Sequence, residues 1–260
     1  MSSFIRERSL ERRGCVYKAV HWFVYSDEEQ AAARRSRQKR ERATLPKVKA
    51  LNDKRSREIF EWLAQNNFTS GDYFVTFTFK DAVTAKEGKQ IFSNFVRRLR
   101  RLYKQKSAVL KYLYVEEVGE KGGRYHIHAF ISSGERRVSS TEISRLWEKY
   151  GLCRVDYLYF TDCGLATLCF YLEKLWKLNP KNKRSWSCSQ TCKRPDIVTD
   201  DNRISGRTMR KIQDAARNDE LISAIERIYS GWQVVGTPDV GVNDVTGREY
   251  LCVRLVRKLE

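Results

Sequence analysis

Two histidines separated by a single residue are the side chains in this sequence best placed for chemistry. The 260-residue chain has only three histidines, and two of them are His126 and His128. The run from Arg124 to Ile131 is rich in β-branched and aromatic residues, which predicts a strand. Residues i and i+2 of a strand face the same side, so both imidazoles would lie together as a pair of metal ligands. The alternative is two unrelated surface histidines.

A carboxylate on the preceding strand is a candidate third ligand. The two strands flank a glycine-rich turn and are predicted to form an antiparallel hairpin. A turn centred between Lys121 and Gly122 places Glu117 opposite His126, whereas a shift of half a residue places Glu116 there, and the sequence leaves both registers open. Two imidazoles and one carboxylate leave positions free on Mg²⁺ or Mn²⁺, and such a cation can polarise a phosphate oxygen.

A helix predicted from Leu165 to Lys177 carries a candidate nucleophile. Tyr171 and Lys174 are one turn apart and so share a face of this helix. A tyrosine hydroxyl can attack a phosphodiester and hold the DNA end as a phosphotyrosine, and Lys174 can orient the phosphate or stabilise the phenolate. The alternative for Tyr171 is packing, because the chain has 13 tyrosines and aromatics on amphipathic helices usually contribute to a core.

The elements around these residues predict an α+β fold, with a central antiparallel sheet flanked by helices. The strand Tyr73–Phe79 alternates apolar residues with threonines, and helices are predicted at 89–106 and 139–150. Residues 51–205 form the predicted domain that contains the candidate site. Residues 1–50 are predicted to be a basic, helical N-terminal extension, and residues 206–260 to be a helix and strands packed on the main domain.

The charge predicts a polyanionic partner, with nucleic acid as the first candidate. Lys and Arg number 50 against 32 Asp and Glu, a net charge of +18, and such an excess attracts phosphates. Basic residues on the 89–106 helix and in the loop after residue 180, together with one tryptophan suited to base stacking, are the candidate DNA contacts. They are Arg97, Arg98, Arg100, Arg101, Lys104, Lys183, Arg184 and Trp186. The alternatives are solvated basic faces and a Trp186 that packs inward.

Several classes of protein are excluded by the composition. No apolar run approaches the roughly 18 residues of a membrane span, so no membrane partner is expected. The charged start, residues 1–14, does not have the form of a secretory signal. Seven scattered cysteines without a C-x-x-C pair predict reduced thiols in a cytoplasmic protein.

The order of these motifs resembles the rolling-circle replication initiators of the HUH endonuclease superfamily, in the style of single-stranded DNA phages and bacterial mobile elements. The resemblance covers roughly residues 52–195. The motifs that carry it are, in chain order, Phe74–Phe79, Glu117–Glu120, His126–Ile131 and Tyr171–Lys174. The paired histidines followed by the Tyr/Lys motif are its specific part.

The resemblance implies metal-dependent nicking of one DNA strand at an origin. It implies a covalent 5′-phosphotyrosyl intermediate, a free 3′-OH for a polymerase and later rejoining of the strand. By resemblance His126 and His128 are metal ligands, Glu117 of a Glu-x-Gly triplet is the third, Tyr171 is the nucleophile and Lys174 assists it. Single-stranded DNA in the cytoplasm of a bacterial host is then the substrate. A host helicase and polymerase would be partners, since the sequence has no G-x-x-x-x-G-K-[ST] loop.

Two details separate this chain from related enzymes. Some phage members carry a second tyrosine four residues after the first, where this chain has Leu175, so a single-tyrosine enzyme is indicated. The histidine pair precedes the tyrosine by about 45 residues, the reverse of conjugative relaxases, and Lys174 stands where single-tyrosine transposases typically carry glutamine. An initiator is favoured, with a transposase or recombinase on the same scaffold and a non-catalytic nucleic-acid-binding protein as the alternatives.

Overall fold

The computed structural model describes residues 3–11, 17–26, 46–118, 123–161, 164–176, 186–242 and 249–257, and it confirms the predicted α+β fold. The strands within these ranges are β1 Ser3–Glu11, β2 Tyr17–Ser26, β3 Tyr73–Thr78, β4 Tyr112–Val118, β5 Tyr125–Ile131, β6 Cys153–Tyr157, β7 Trp186–Cys188, β8 Ile197–Asp200, β9 Trp232–Val242 and β10 Glu249–Arg257. The helices within them are α1 Pro46–Asn67, α2 Ala85–Gln105, α3 Ser140–Trp147, α4 Ala166–Trp176, α5 Gly206–Arg217 and α6 Leu221–Ile228.

The chain divides into two compact units, each built on its own five-stranded sheet. One unit combines Met1–Ser56 with Pro195–Glu260, and the other is Arg57–Arg194. The strand orders are β8-β1-β2-β10-β9 in the first unit and β6-β3-β5-β4-β7 in the second, and all pairings are antiparallel.

These units differ from the predicted domain boundaries. Strands β1 and β2 occupy much of the predicted helical extension, and β2 pairs with the C-terminal strand β10. Backbone pairing therefore joins the N-terminal and C-terminal segments into one sheet. The helical stretch predicted to begin at Asp27 lies outside the described residues, and the packing of residues 206–260 on the main domain stays a prediction.

A buried carboxylate lies in the core of the first unit. Helices α5 and α6 contribute Met209, Ile212 and Ile225 to this core. Glu7 of β1 is 1% exposed, and it accepts hydrogen bonds from Arg203 Nη1 at 3.0 Å and Tyr229 Oη at 2.7 Å. Both partners satisfy the carboxylate, which would otherwise be costly to bury.

The sheet of the second unit has an apolar core on each face. Helices α2 and α3 pack on the face that carries Phe77 and Ile127. Helices α1 and α4 pack on the opposite face, which carries Leu113, Val115 and Phe130. Because successive strand residues alternate between faces, the even-numbered positions of β5 lie on the α1/α4 face. Among the described residues, no helix is both long enough and apolar enough to cross a membrane.

Gly88 lets α2 approach the strand that carries the histidines. A Cβ atom at this buried position would lie 2.3 Å from Cε1 of Tyr125, the residue before His126. Alanine is usually better than glycine inside a helix by about 1 kcal/mol, but an overpacked core costs about 1–3 kcal/mol. We expect Gly88→Ala to lower the free energy of unfolding by about 1–2 kcal/mol in urea denaturation. Exposed Ser93→Ala on the same helix should be neutral or stabilising, and equal behaviour of the two variants would contradict the close contact.

Candidate metal and nuclease site

The hairpin register brings one carboxylate to the histidine pair. Glu117 of β4 pairs directly with His126 of β5, which is the register predicted for a turn centred between Lys121 and Gly122. Glu116 lies on the other face of the sheet, where its Oε1 forms an ion pair with Lys89 Nζ at 3.1 Å. The first of the two registers that the sequence left open is therefore the one present.

Glu117 also contacts the second histidine. Its Oε2 lies 2.7 Å from His128 Nε2, and the His128 side chain is only 8% exposed. Burial lowers the pKa of His128, and this effect outweighs the hydrogen bond with Glu117 that raises the same pKa. A neutral imidazole is thus favoured at neutral pH, and the neutral form is the one that binds metals.

Strand β3 holds the opposite edge of the His128 ring. Thr76 pairs with His128 across the sheet, and its Oγ1 lies 3.1 Å from His128 Nδ1. The Phe74 ring is stacked on the imidazole at a centroid distance of 5.9 Å and an interplanar angle of 7°. His128 is thereby fixed by contacts to both ring nitrogens and to one ring face.

His126 supplies a nitrogen that protein groups leave unsatisfied. Its buried Nδ1 has no hydrogen-bond partner among the residues that the structure describes. Two neutral imidazoles and one carboxylate on one face match the donors that divalent cations accept, and this unpaired nitrogen agrees with such a role. Within the same described ranges, no three His, Cys, Asp or Glu side chains stand in a formed coordination geometry, so the agreement is one of residue type and placement.

Helix α4 brings Tyr171 to the same side of the sheet as the histidines. It packs through Cys169 and Leu172 on the core that includes Val115 of β4. At its start, the Leu165 amide donates a hydrogen bond to Gln65 Oε1 of α1 at 3.1 Å. These contacts fix the helix against the sheet face on which both imidazoles lie.

The two predicted catalytic side chains of α4 point away from its packed side. Tyr171 is 50% exposed, and Lys174 is exposed with its Nζ 5.3 Å from the centroid of the Phe170 ring. Across the described residues, no hydrogen bond joins Tyr171 to His126 or His128. The phenol is therefore accessible to a substrate that reaches this side of the sheet.

The predicted basic stripe is on the opposite side of the sheet. Arg97, Arg101 and Lys104 are exposed on α2, and α2 packs on the Phe77 face. Arg100 is also exposed and donates to Tyr112 Oη at 3.1 Å. The stripe therefore forms a surface separate from the histidine face.

Arg98 has a packing role instead. It is only partly exposed, and its Nη2 donates to the Leu146 carbonyl at 2.6 Å. Its guanidinium lies 5.2 Å from the centroid of the Tyr150 ring. These contacts tie α2 to the end of α3, so the structure supports the packing alternative at this position.

The loop predicted to contact DNA is described only at its end. Lys183 and Arg184 lie outside the described residues. Trp186 is in β7, pairs with Val115 and places its ring 6.0 Å from that of Phe60. The inward-packed alternative for Trp186 is the arrangement found.

Arg154 is a residue of this face that the sequence did not identify. Strand order places Arg154 beside Thr76, and Thr76 beside His128, in one row across β6, β3 and β5. The Arg154 side chain is 79% exposed and its Nε donates to Asp156 at 2.8 Å. The period of two puts Arg154 and Asp156 on one face, but only the strand order shows that this face is the one with the histidines.

Comparison with known proteins supports a replication-initiation role. Residues 72–175 match the family model described as a replication-associated protein, of the type of ORF2 and the gene 2 protein. The matched segment contains the histidine pair, Glu117, Tyr171 and Lys174, and it ends before Trp186. A search of curated proteins and a search of solved structures each found no match.

Proposed function

We propose that this protein is a rolling-circle replication initiator of the HUH type, which nicks and rejoins single-stranded DNA at an origin through a 5′-phosphotyrosine. One observation carries the proposal: Glu117, His126 and His128 share a sheet face, and the helix with Tyr171 packs on that face. The family match over residues 72–175 supports the same role.

A divalent cation, Mg²⁺ or Mn²⁺, is the proposed cofactor. Glu117, His126 and His128 would hold it, and they leave room in its coordination for substrate oxygens. When bound, the cation polarises the scissile phosphate and balances the charge that develops on it.

Tyr171 is the proposed nucleophile. Its hydroxyl oxygen forms a bond to phosphorus while the bond from phosphorus to the 3′ oxygen breaks, and the phenolic proton is balanced by protonation of the departing 3′ oxygen. The 5′ phosphate then stays on Tyr171 and the 3′-OH is free for a polymerase. Attack by a 3′-OH on the same phosphorus reverses these bonds and rejoins the strand, so no external energy source is needed.

Basic side chains near the site would position the DNA strand. Lys174 is one helical turn from Tyr171, where its ammonium group can hold the phosphate or stabilise the phenolate. Arg154 has an exposed guanidinium in the row of Thr76 and His128, so it is suited to the phosphate next to the scissile one.

The proposal is tested with a pool of single-stranded oligonucleotides. The protein is incubated with the pool and Mn²⁺, and covalent complexes are separated by denaturing electrophoresis. The captured DNA is then sequenced. A complex that forms with Mn²⁺ and not with EDTA supports the nuclease. Metal-independent binding without any covalent complex, on pools that include the DNA flanking the gene, would support the non-catalytic alternative instead.

The basic stripe on α2 is expected to contribute affinity without contributing to chemistry. Replacement of Arg97, Arg100, Arg101 and Lys104 by glutamine should weaken binding and reduce the salt dependence of single-stranded DNA affinity, by a slope of up to about 3 for four lost phosphate contacts. At saturating oligonucleotide the rate of covalent complex formation should not change, because the stripe and the histidines occupy opposite sheet faces.

The matched control replaces the three arginines of the stripe by lysine. This variant keeps the charge and should keep the salt slope. An unchanged slope in the glutamine variant would show that the stripe is only a solvated face.

A further inference from the structure

We propose that Thr76 is a positioning residue that orients His128 as a metal ligand, an inference that rests on the proposed function. The threonine-rich strand was singled out only for its pattern, and none of its hydroxyls has a role in the chemistry described above. In the structure, one of them contacts a proposed ligand directly.

The contacts of His128 leave its ring little freedom. Thr76 Oγ1 lies 3.1 Å from Nδ1, and Glu117 Oε2 lies 2.7 Å from Nε2. Thr76 is paired with His128 in the sheet, so the backbone sets the position from which the hydroxyl reaches the ring. Ligand histidines generally use their second nitrogen in this way, and the partner of that nitrogen sets the ring orientation.

A hydroxyl is suited to this position because it can both donate and accept. Without a cation, the proton on Nε2 is donated to the Glu117 carboxylate, and Thr76 donates its hydroxyl proton to Nδ1. With a cation, Nε2 provides its lone pair, the ring proton is on Nδ1, and Thr76 accepts it. The ring keeps one proton in both states, so Thr76 can hold the same orientation before and after metal binding. Valine can do neither.

The neighbouring threonine provides an internal comparison. Thr78 is on the same face of β3, and its Oγ1 donates to the Leu152 carbonyl at 3.2 Å. Its partner across the sheet is His126, whose Nδ1 is without a hydrogen bond among the described residues. Thr78 thus has the same side chain and strand environment but no contact with an imidazole nitrogen.

The test compares Thr76→Val, Thr76→Ser and Thr78→Val in the full-length protein. Mn²⁺ affinity is measured from the EPR signal of the free ion, and the tautomer of His128 from ¹⁵N chemical shifts of the metal-free protein. We expect Thr76→Val to weaken Mn²⁺ binding by about 10–100-fold and to change the His128 nitrogen shifts. Thr76→Ser should restore both, and Thr78→Val should bind Mn²⁺ as the unmodified protein does. Valine is isosteric with threonine and a good strand former, and urea denaturation checks that each variant is folded.

Two results would overturn the inference, and they are distinguishable. If the unmodified protein binds Mn²⁺ and forms the DNA complex, and Thr76→Val binds the metal equally well, then Thr76 has no positioning role while the proposed function stands. If the unmodified protein neither binds Mn²⁺ nor forms the complex with any oligonucleotide, the proposed function fails and the role of Thr76 fails with it.

Discussion

Tyr171→Phe is expected to form no covalent complex with single-stranded DNA under conditions in which the unmodified protein and Mn²⁺ form one. The substitution removes only the hydroxyl oxygen that would bond to phosphorus, and a phenyl ring has no atom that can replace it. Tyr171 is 50% exposed and its ring does not belong to the buried core, so phenylalanine should leave the fold intact. The measurement is the fraction of protein shifted on a denaturing gel, with labelled DNA.

Tyr159→Phe is the matched control for this variant. Tyr159 is 79% exposed and is in the same compact unit, but it is not on α4. Tyr159→Phe should form the complex at the normal rate, and Tyr171→Phe should bind the uncleaved oligonucleotide with normal affinity. A complex that persists in Tyr171→Phe would assign the nucleophile to another tyrosine, which mass spectrometry of the DNA-linked peptide would identify.

Much of the candidate site could be predicted because its geometry is local. The period of two in a strand put His126 and His128 on one face, and the length of a short hairpin restricted the opposing carboxylate to two residues. The structure has Glu117 in that place. Helix α4 was predicted from its leucine spacing, and Leu172 is buried as that spacing requires.

Contacts between strands distant in the sequence could not be predicted. The neighbours of β5 are β4, which is its hairpin partner, and β3, which ends 47 residues before β5 begins. The contact from Thr76 to His128 and the placement of Arg154 depend on this order, and no local periodicity encodes it. The same order separates the basic stripe on α2 from the histidine face.

The first sheet was missed for a different reason. The inward-facing positions of β1 are Ile5, Glu7 and Ser9, which are all buried although two of them are polar. Strand prediction relies on apolar residues at every second position. Here a buried carboxylate interrupts that pattern, and its partners Arg203 and Tyr229 lie about 200 residues further along the chain.

The choice between two adjacent glutamates gives the second large expected effect. Glu117→Gln keeps the size of the side chain and an oxygen that can accept a hydrogen bond from His128, but it removes the negative charge that a divalent cation requires. Metal assistance is worth several kcal/mol, so the rate of complex formation should fall by about 100-fold or more. Single-turnover rates at saturating DNA, measured over a series of Mn²⁺ concentrations, give this number.

Glu116→Gln removes the same charge one residue away and on the opposite face of the sheet. It breaks only the ion pair with Lys89, which costs up to about 1 kcal/mol of folding free energy at a partly exposed site. Its nicking rate and Mn²⁺ dependence should therefore match those of the unmodified protein. If both variants lost activity equally, bulk negative charge rather than a ligand would explain the effect. If only Glu116→Gln lost activity, the metal would have to bind on the α2 face, and His126 and His128 could not be its ligands. The pair of variants thus tests the cofactor and the face of the sheet that binds it in one experiment.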